Sequence, residues 1–316
     1  FSRYGKLNHD HATMTNPCGE IPLSNYETCN LAEVFPTRCK DPEQFFQAIR
    51  YATFYASTVT LLPTHRPETN TIISKNRRIG VSISGITQWV NYNTNGWPSM
   101  NYTKLTKLLR QGYDIVYDEN KKLAQEAGIP KSIRLTTIKP SGTISLLAGC
   151  TPGVHYPISR YAIRRVRIGN NSSIVQSLIN AGIVYEKDLY SDNTLVFEFI
   201  IDHGDIRPCN KVSPWEQFSL VAMLQRCWAD NNVSSTIYFD KKATDIEELL
   251  AMFIPQLKSI SMLPYSEHGY KQAPYEPIDE ETYKKRIGAY KLPDFNKIQK
   301  MIPEGSMYCS NDTCLL

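Results

Sequence analysis

Asn16, Cys18 and Glu20 set an amide, a thiol and a carboxylate two residues apart within the stretch NPCGEIPLSNYETC. Pro17 and Gly19 stand between them. Proline fixes φ and glycine frees it, so the segment reads as a shaped turn or loop. If the flanking residues are extended, positions 16, 18 and 20 share one face. That face combines a hydrogen-bonding group, a sulfur centre and a base within reach of one small molecule. A second thiol, Cys29, follows eleven residues after Cys18. Spacing alone also fits a buried, inert loop cysteine.

A second chemical stretch is Pro140 to Ser145, PSGTIS, after the strand-like IRLTTIK and before the apolar LLAG. Gly142 lets backbone approach a ligand closely, Ser141, Thr143 and Ser145 carry hydroxyls, and free N–H groups at a helix start favour anions. An ordinary strand-to-helix turn with a serine cap fits the same letters. The Gly-Lys-Ser/Thr ending of a Walker loop is missing. A third stretch, CSNDTC, lies near the end of the sequence, with four residues between Cys309 and Cys314 on a polar segment. No second Cys or His pair stands nearby to complete a tetrahedral zinc site, so a chance pair or mobile redox thiols remain. His9 and His11 have a metal-like spacing but no third ligand, and no metal is expected. His155 is open between a substrate contact and a structural role. Arg164, Arg165 and Arg167 face either phosphates or solvent, and Cys39, Cys150, Cys209 and Cys227 are expected to have no redox part.

Strand–helix alternation positions these stretches and predicts an α/β fold. Asp41 caps a helix with Pro42 in its first turn, running to about residue 62. Residues 77–84 read as a buried strand, and Leu105, Leu108, Leu109, Tyr113, Val116 and Tyr117 mark a long amphipathic helix opening at Asn101. Further strands are expected near 133–139, 161–168, 195–201, 235–239 and 259–263, with helices near 171–181, 214–230 and 246–257. Ser213 and Glu216 have capping-box spacing. The last thirty residues lose periodicity and read as a tether.

The 316 residues suffice for one or two domains, and a net charge of +4 demands no nucleic-acid partner. No apolar run approaches a membrane span and no signal peptide opens the sequence, so the eight cysteines fit a reducing cytoplasm better than a disulfide framework. The Phe1 start suggests an incomplete chain.

NPCGEIPLSNYETCNLAEVFP resembles the active-site finger loop of ribonucleotide reductases, in their adenosylcobalamin-dependent (class II) form. The resemblance continues through KNRRIGVSISGITQW, IKPSGTISLLAGCTPGVHYP, SPWEQFSLVAMLQRCWADNNVSSTIYFD and LKSISMLP. It implies a ten-stranded α/β barrel of two five-stranded halves. The finger loop and second half fall within 1–295, and a C-terminal redox tail within 296–316. It further implies that Cys18 becomes a thiyl radical and takes the 3′ hydrogen of the substrate ribose. Glu20 then deprotonates the 3′ hydroxyl, Asn16 holds the sugar hydroxyls, and Cys29 is one of two electron-donating thiols. Residues Ser141, Gly142, Thr143, Ile144 and Ser145 would cradle the substrate phosphates. Cys309 and Cys314 would re-reduce the internal disulfide and be reduced in turn by a thioredoxin-like protein.

Ser261 and Met262 stand where class I catalytic subunits carry a Tyr–Tyr radical relay, and no glycyl-radical motif is present. Adenosylcobalamin is therefore the implied cofactor, and the motif style leans toward triphosphate substrates. The first half-barrel, the allosteric specificity site and the partner thiol of Cys29 are expected outside this sequence, on another chain or segment. A non-catalytic nucleotide-binding remnant or interaction module is the alternative. Retention of Asn16, Cys18, Glu20, Cys29 and the tail pair speaks against it, because a remnant has no chemical need for them.

Overall fold

The computed structural model describes residues 10–91, 102–242, 244–265, 271–289 and 291–294. His9, Cys309, Cys314 and the expected boundary at 295/296 lie outside them. In chain order the strands are β1 (Met14–Thr15), β2 (Pro22–Leu23), β3 (Leu31–Val34), β4 (Gly80–Ile83), β5 (Tyr161–Gly169), β6 (Tyr185–Lys187), β7 (Thr194–Asp202), β8 (Thr236–Phe239), β9 (Ser261–Pro264) and β10 (Tyr275–Ile278). The helices are α1 (Pro42–Val59), α2 (Pro67–Asn76), α3 (Ile86–Asn91), α4 (Tyr102–Ala127), α5 (Ile144–Leu147), α6 (Val175–Asn180), α7 (Pro214–Cys227), α8 (Ile246–Phe253) and α9 (Glu280–Ile287). They fall into two compact units, Phe1–Pro157 with Asp205–Glu267, and Ile158–Gly204 with His268–Leu316.

The first unit is built on parallel strands taken in sequence order. β3 pairs with β4, and Val81 bridges to Thr136. Ile138 bridges to Val233, and β8 pairs with β9. Helices carry each crossover, as parallel pairing requires. Their ends follow local rules. The Asp41 carboxylate accepts from Gln44 N–H at 2.8 Å, and the Ser213 hydroxyl accepts from Glu216 N–H at 3.2 Å. The buried stripe of α4 is Leu105, Leu108, Leu109, Gly112, Val116, Asn120 and Ala124; Tyr117, expected inside, is exposed. Pro67 stands in the first turn of α2, where its missing N–H costs nothing. The strand expected from residue 77 begins only at Gly80. Arg77 closes α2 in the left-handed region at φ 45°, and Arg78 is drawn into a buried ion network. Residues 133–139 form bridges in place of a full ladder.

The hairpin of β1 and β2 lies against these strands. A Cβ at Gly80 would come within 2.8 Å of Ile21 and 2.9 Å of Thr137, so the hairpin packs where β4 has no side chain.

In the second unit the order β10-β5-β7-β6 is antiparallel throughout. Val175, Leu178, Ala181, Ile183 and Phe197 form its core. The arginines of β5 have internal partners. Arg165 meets Glu198 at 2.8 Å and Glu276 at 2.6 Å, Arg167 meets Asp188 at 3.4 Å, and Arg164 lies over the Tyr275 ring at 4.6 Å. No helix among the described residues is long and apolar enough to cross a membrane.

Candidate active site

Residues 16–20 form the turn of the β1–β2 hairpin and are not an extended run. Asn16 N–H donates to Ile21 O at 3.0 Å, and Gly19 N–H donates to Asn16 O at 2.9 Å. Gly19 adopts φ +77°, which glycine reaches without strain. The Asn16 side chain closes the turn: its Oδ1 accepts from Ile21 N–H at 3.0 Å, while its Nδ2 faces Cys29 Sγ at 3.7 Å. Asn16, Cys18, Glu20 and Cys29 are thus brought together, by a tight turn in place of strand alternation.

Three consecutive carbonyls at the tip are held by donors from the parallel strands. Cys18 O accepts from Ser234 Oγ at 2.7 Å. Gly19 O accepts from Asn232 Nδ2 at 2.7 Å and from Ser259 Oγ at 3.4 Å. Glu20 O accepts from Asn232 N–H at 2.9 Å and from Thr137 Oγ1 at 2.9 Å. Backbone satisfaction by other side chains leaves the Cys18 and Glu20 side chains available. Cys18 is exposed. Glu20 is only 1% exposed, and its Oε2 has no hydrogen-bond partner among the described residues. Such an atom is costly unless a ligand group supplies the donor. Thr137, Asn232, Ser234 and Ser259 were not anticipated as positioning groups. The polar run NNVSST, set between an apolar helix and a strand, was the available signal.

Electrostatics keep both thiols protonated. Burial pushes the Cys29 thiol up to about 12, with Glu20 and then Cys18 adding to it and Lys139 opposing. Cys18 is raised by burial and by Glu20, again against Lys139. A nucleophilic cysteine needs a depressed pKa. These two are poised as S–H groups, which suits hydrogen-atom chemistry. The other four described cysteines, Cys39, Cys150, Cys209 and Cys227, are buried.

The loop 141–145 divides in two. Ser141 is 1% exposed and its hydroxyl donates to Glu33 Oε2 at 2.7 Å; the buried Ser145 hydroxyl donates to Ser141 O. Those hydroxyls are spent inside the protein. Gly142, Thr143 and Ile144 are exposed at the start of α5, so a ligand would meet backbone and the Thr143 hydroxyl. Glu33 also accepts from Ser84 Oγ and pairs with Lys139 Nζ at 3.8 Å. His155 is structural: its Nε2 accepts from Thr236 N–H at 3.1 Å, Nδ1 lies 3.2 Å from Pro152 O, and burial lowers its pKa. No cluster of metal-ligating side chains occurs among the described residues.

The family model described as "Ribonucleotide reductase, barrel domain" matches residues 4–131. Over 309 residues the chain is 41% identical to the probable adenosylcobalamin-dependent ribonucleoside-triphosphate reductase of Dictyostelium discoideum, covering 95% of this chain and 40% of that protein. The chain belongs to the ribonucleotide reductase family. The adenosylcobalamin-dependent ribonucleoside-triphosphate reductase of Euglena gracilis is 41% identical over 310 residues, 95% of this chain and 42% of that protein. A solved B12-dependent (class II) ribonucleotide reductase superposes with a TM-score of 0.75 at 35% identity, covering 90% of this chain and 43% of that one. The alpha subunit of a class Id ribonucleotide reductase from Actinobacillus ureae shares the fold, with a TM-score of 0.51 at 16% identity. The chain therefore spans about two fifths of the curated relatives it matches. Its architecture is that of the ribonucleotide reductase α/β barrel, represented here by the finger loop and a half-barrel.

Proposed function

We propose that this chain carries the finger loop and thiol site of an adenosylcobalamin-dependent ribonucleoside-triphosphate reductase, completed by a further half-barrel on another chain or segment. The reaction converts one ribonucleotide and two thiols into one 2′-deoxyribonucleotide, one disulfide and one water. Cys18 gives up its S–H hydrogen atom and, as a sulfur radical, takes the 3′ hydrogen of the ribose. Glu20 accepts the 3′ hydroxyl proton at its unpartnered Oε2. Asn16 offers the sugar its Nδ2 hydrogens, since its Oδ1 is engaged by Ile21 N–H. Cys29 and a second thiol close to a disulfide as the 2′ oxygen leaves as water and C2′ gains hydrogen. Residues Gly142 and Thr143, with the backbone of Ile144 and Ser145, meet the triphosphate at the start of α5.

Adenosylcobalamin, when bound, supplies the hydrogen-atom abstraction that begins the cycle. The residues fit such an external group. Cys18 is exposed, and Ser261 and Met262 on β9 offer no phenol for a relay. Ser259, two residues before β9, donates to the finger tip at Gly19 O. Cys309 and Cys314 form the redox tail within 296–316, re-reducing the disulfide by thiol exchange and passing it to a thioredoxin-like protein in a reducing cytoplasm.

The observation that carries this reading is a pair of protonated thiols beside a buried, unpartnered carboxylate oxygen. The test supplies the chain with the amino-terminal part of a class II relative and assays deoxynucleotide. Cys18→Ser abolishes product while nucleotide binding survives, because an O–H bond does not exchange for a stable radical. Turnover above background in that variant removes Cys18 from the radical role.

A further inference from the structure

The segment around Thr136 and Ile138 passes beneath the finger, with the Thr137 hydroxyl on Glu20 O. Pro140 holds the preceding residue extended, and side chains two apart on an extended chain point the same way. Lys139 therefore shares the face of the segment on which the Thr137 hydroxyl meets the finger. Its backbone is fixed by donation from its N–H to Ser82 Oγ at 2.8 Å. Its ammonium, on a side chain 27% exposed, is steered by Glu33 at 3.8 Å. Glu33 is itself anchored by Ser84 and Ser141. The charged and titratable groups facing the thiols are Glu20, the other thiol and Lys139, with Glu33 behind the lysine.

The geometry points to Lys139 as a positioning residue of the thiol pair, its ammonium held by Glu33 on the face where Thr137 meets the finger, so that negative charge forming on sulfur meets a fixed cation. The chemistry rests on the proposed reduction. As Cys29 and its partner thiol become a disulfide, two S–H bonds break and one S–S bond forms; two electrons and two protons pass to the substrate, leaving as the C2′ hydrogen and within water. Cys29 must shed its proton beside the Glu20 carboxylate, and a cation held opposite lowers the cost of that step. The charge of Lys139 does act on both Cys18 and Cys29, lowering each against burial and Glu20.

The test reads thiol reactivity in the 316-residue chain with iodoacetamide, a neutral probe, mapping each cysteine by mass spectrometry across pH. In Lys139→Met and Lys139→Gln, alkylation of Cys18 and Cys29 near neutral pH falls by about threefold for each unit of pKa rise, because a less acidic thiol is also more nucleophilic. Lys139→Arg keeps the wild-type profile. Cys209 and Cys227 serve as internal controls and do not change. Unaltered Cys18 and Cys29 profiles in both neutral variants overturn the proposal, as does an equal change at Cys209, which would report general loosening. Absence of deoxynucleotide from the wild-type chain completed with the amino-terminal part sinks the reductase reading and leaves this thiol measurement standing, so the two failures are separable.

Discussion

Two buried carboxylate sites at opposite ends of the finger receive opposite treatment. At the base, Arg78 holds Asp10 through both terminal guanidinium nitrogens, at 2.6 and 3.1 Å, and Glu27 through Nε at 3.0 Å. Arg134 Nε adds a contact to Asp10 at 2.8 Å, and Asn76 Nδ2 donates to Glu27 at 2.9 Å. Burial would push the Asp10 carboxyl up, but these arginines hold it below its ordinary range. At the tip, Glu20 is as deeply buried, yet one of its oxygens is left unpartnered. The base spends its charges on holding the hairpin. The tip is clamped through its backbone, which keeps its side chains free for a ligand. Polar groups left unsatisfied inside a well-satisfied frame mark the place for chemistry.

The largest break in that contrast is Arg78→Met. It leaves Glu27 buried without its cation and Asp10 with Arg134 alone, and costs about 3–5 kcal/mol of stability, read by denaturant unfolding. A cost below about 1 kcal/mol would show that the base network is dispensable.

Alkaline pH titrates the finger thiol Cys29 along with the other buried ones. Burial raises Cys29 and Cys150 to about 12 and Cys39 and Cys209 to about 11, whereas the unfolded thiols ionise near 9.0. The folded state favours the neutral form, so this stabilisation is complete below pH 9 and is lost as pH rises toward 11–12. Thermal unfolding followed from pH 8 to pH 11 shows the decline. Cys29→Ser makes it shallower by one thiol's share, and an unchanged slope would mean that Cys29 ionises freely.

Asn232→Ala removes the strongest side-chain donor to Gly19 O and leaves Ser259 at 3.4 Å. The expected cost is about 1–3 kcal/mol, with a further drop in turnover as the tip loosens. Full activity at reduced stability would make Asn232 a fold residue only.

The smallest stability effect falls at the tip itself. Glu20→Gln replaces an unpartnered carboxylate by a neutral amide of the same shape. Stability changes by no more than about 1 kcal/mol while turnover is lost. A loss as large as that of Arg78→Met would place Glu20 with the structural carboxylates.

The chain's own letters specified much of this. Asp41 with Pro42, and Ser213 with Glu216, announced helix starts, because capping is local chemistry between residues three apart. The long helix α4 followed from its apolar stripe, and β5, β7, β8 and β9 lie where strands were expected near 161–168, 195–201, 235–239 and 259–263. The site motif was legible as residue types at fixed spacing. Pro17 and Gly19 announced its turn, but not the hydrogen bonds that arrange the side chains within it.

What only tertiary structure decided are partnerships between residues far apart in the chain. Ser234 on Cys18 and Asn232 on Gly19 span more than two hundred positions, and no periodicity encodes such pairs. The same holds for Arg165, whose fate as a sheet ion pair required β7 and β10 to arrive beside β5. It holds for Ser141, a hydroxyl suited to phosphate by its loop and claimed instead by Glu33 from another strand. Local chemistry determines where an element begins and which atoms it can offer. Packing determines which of those atoms are already spent, and so which remain for function.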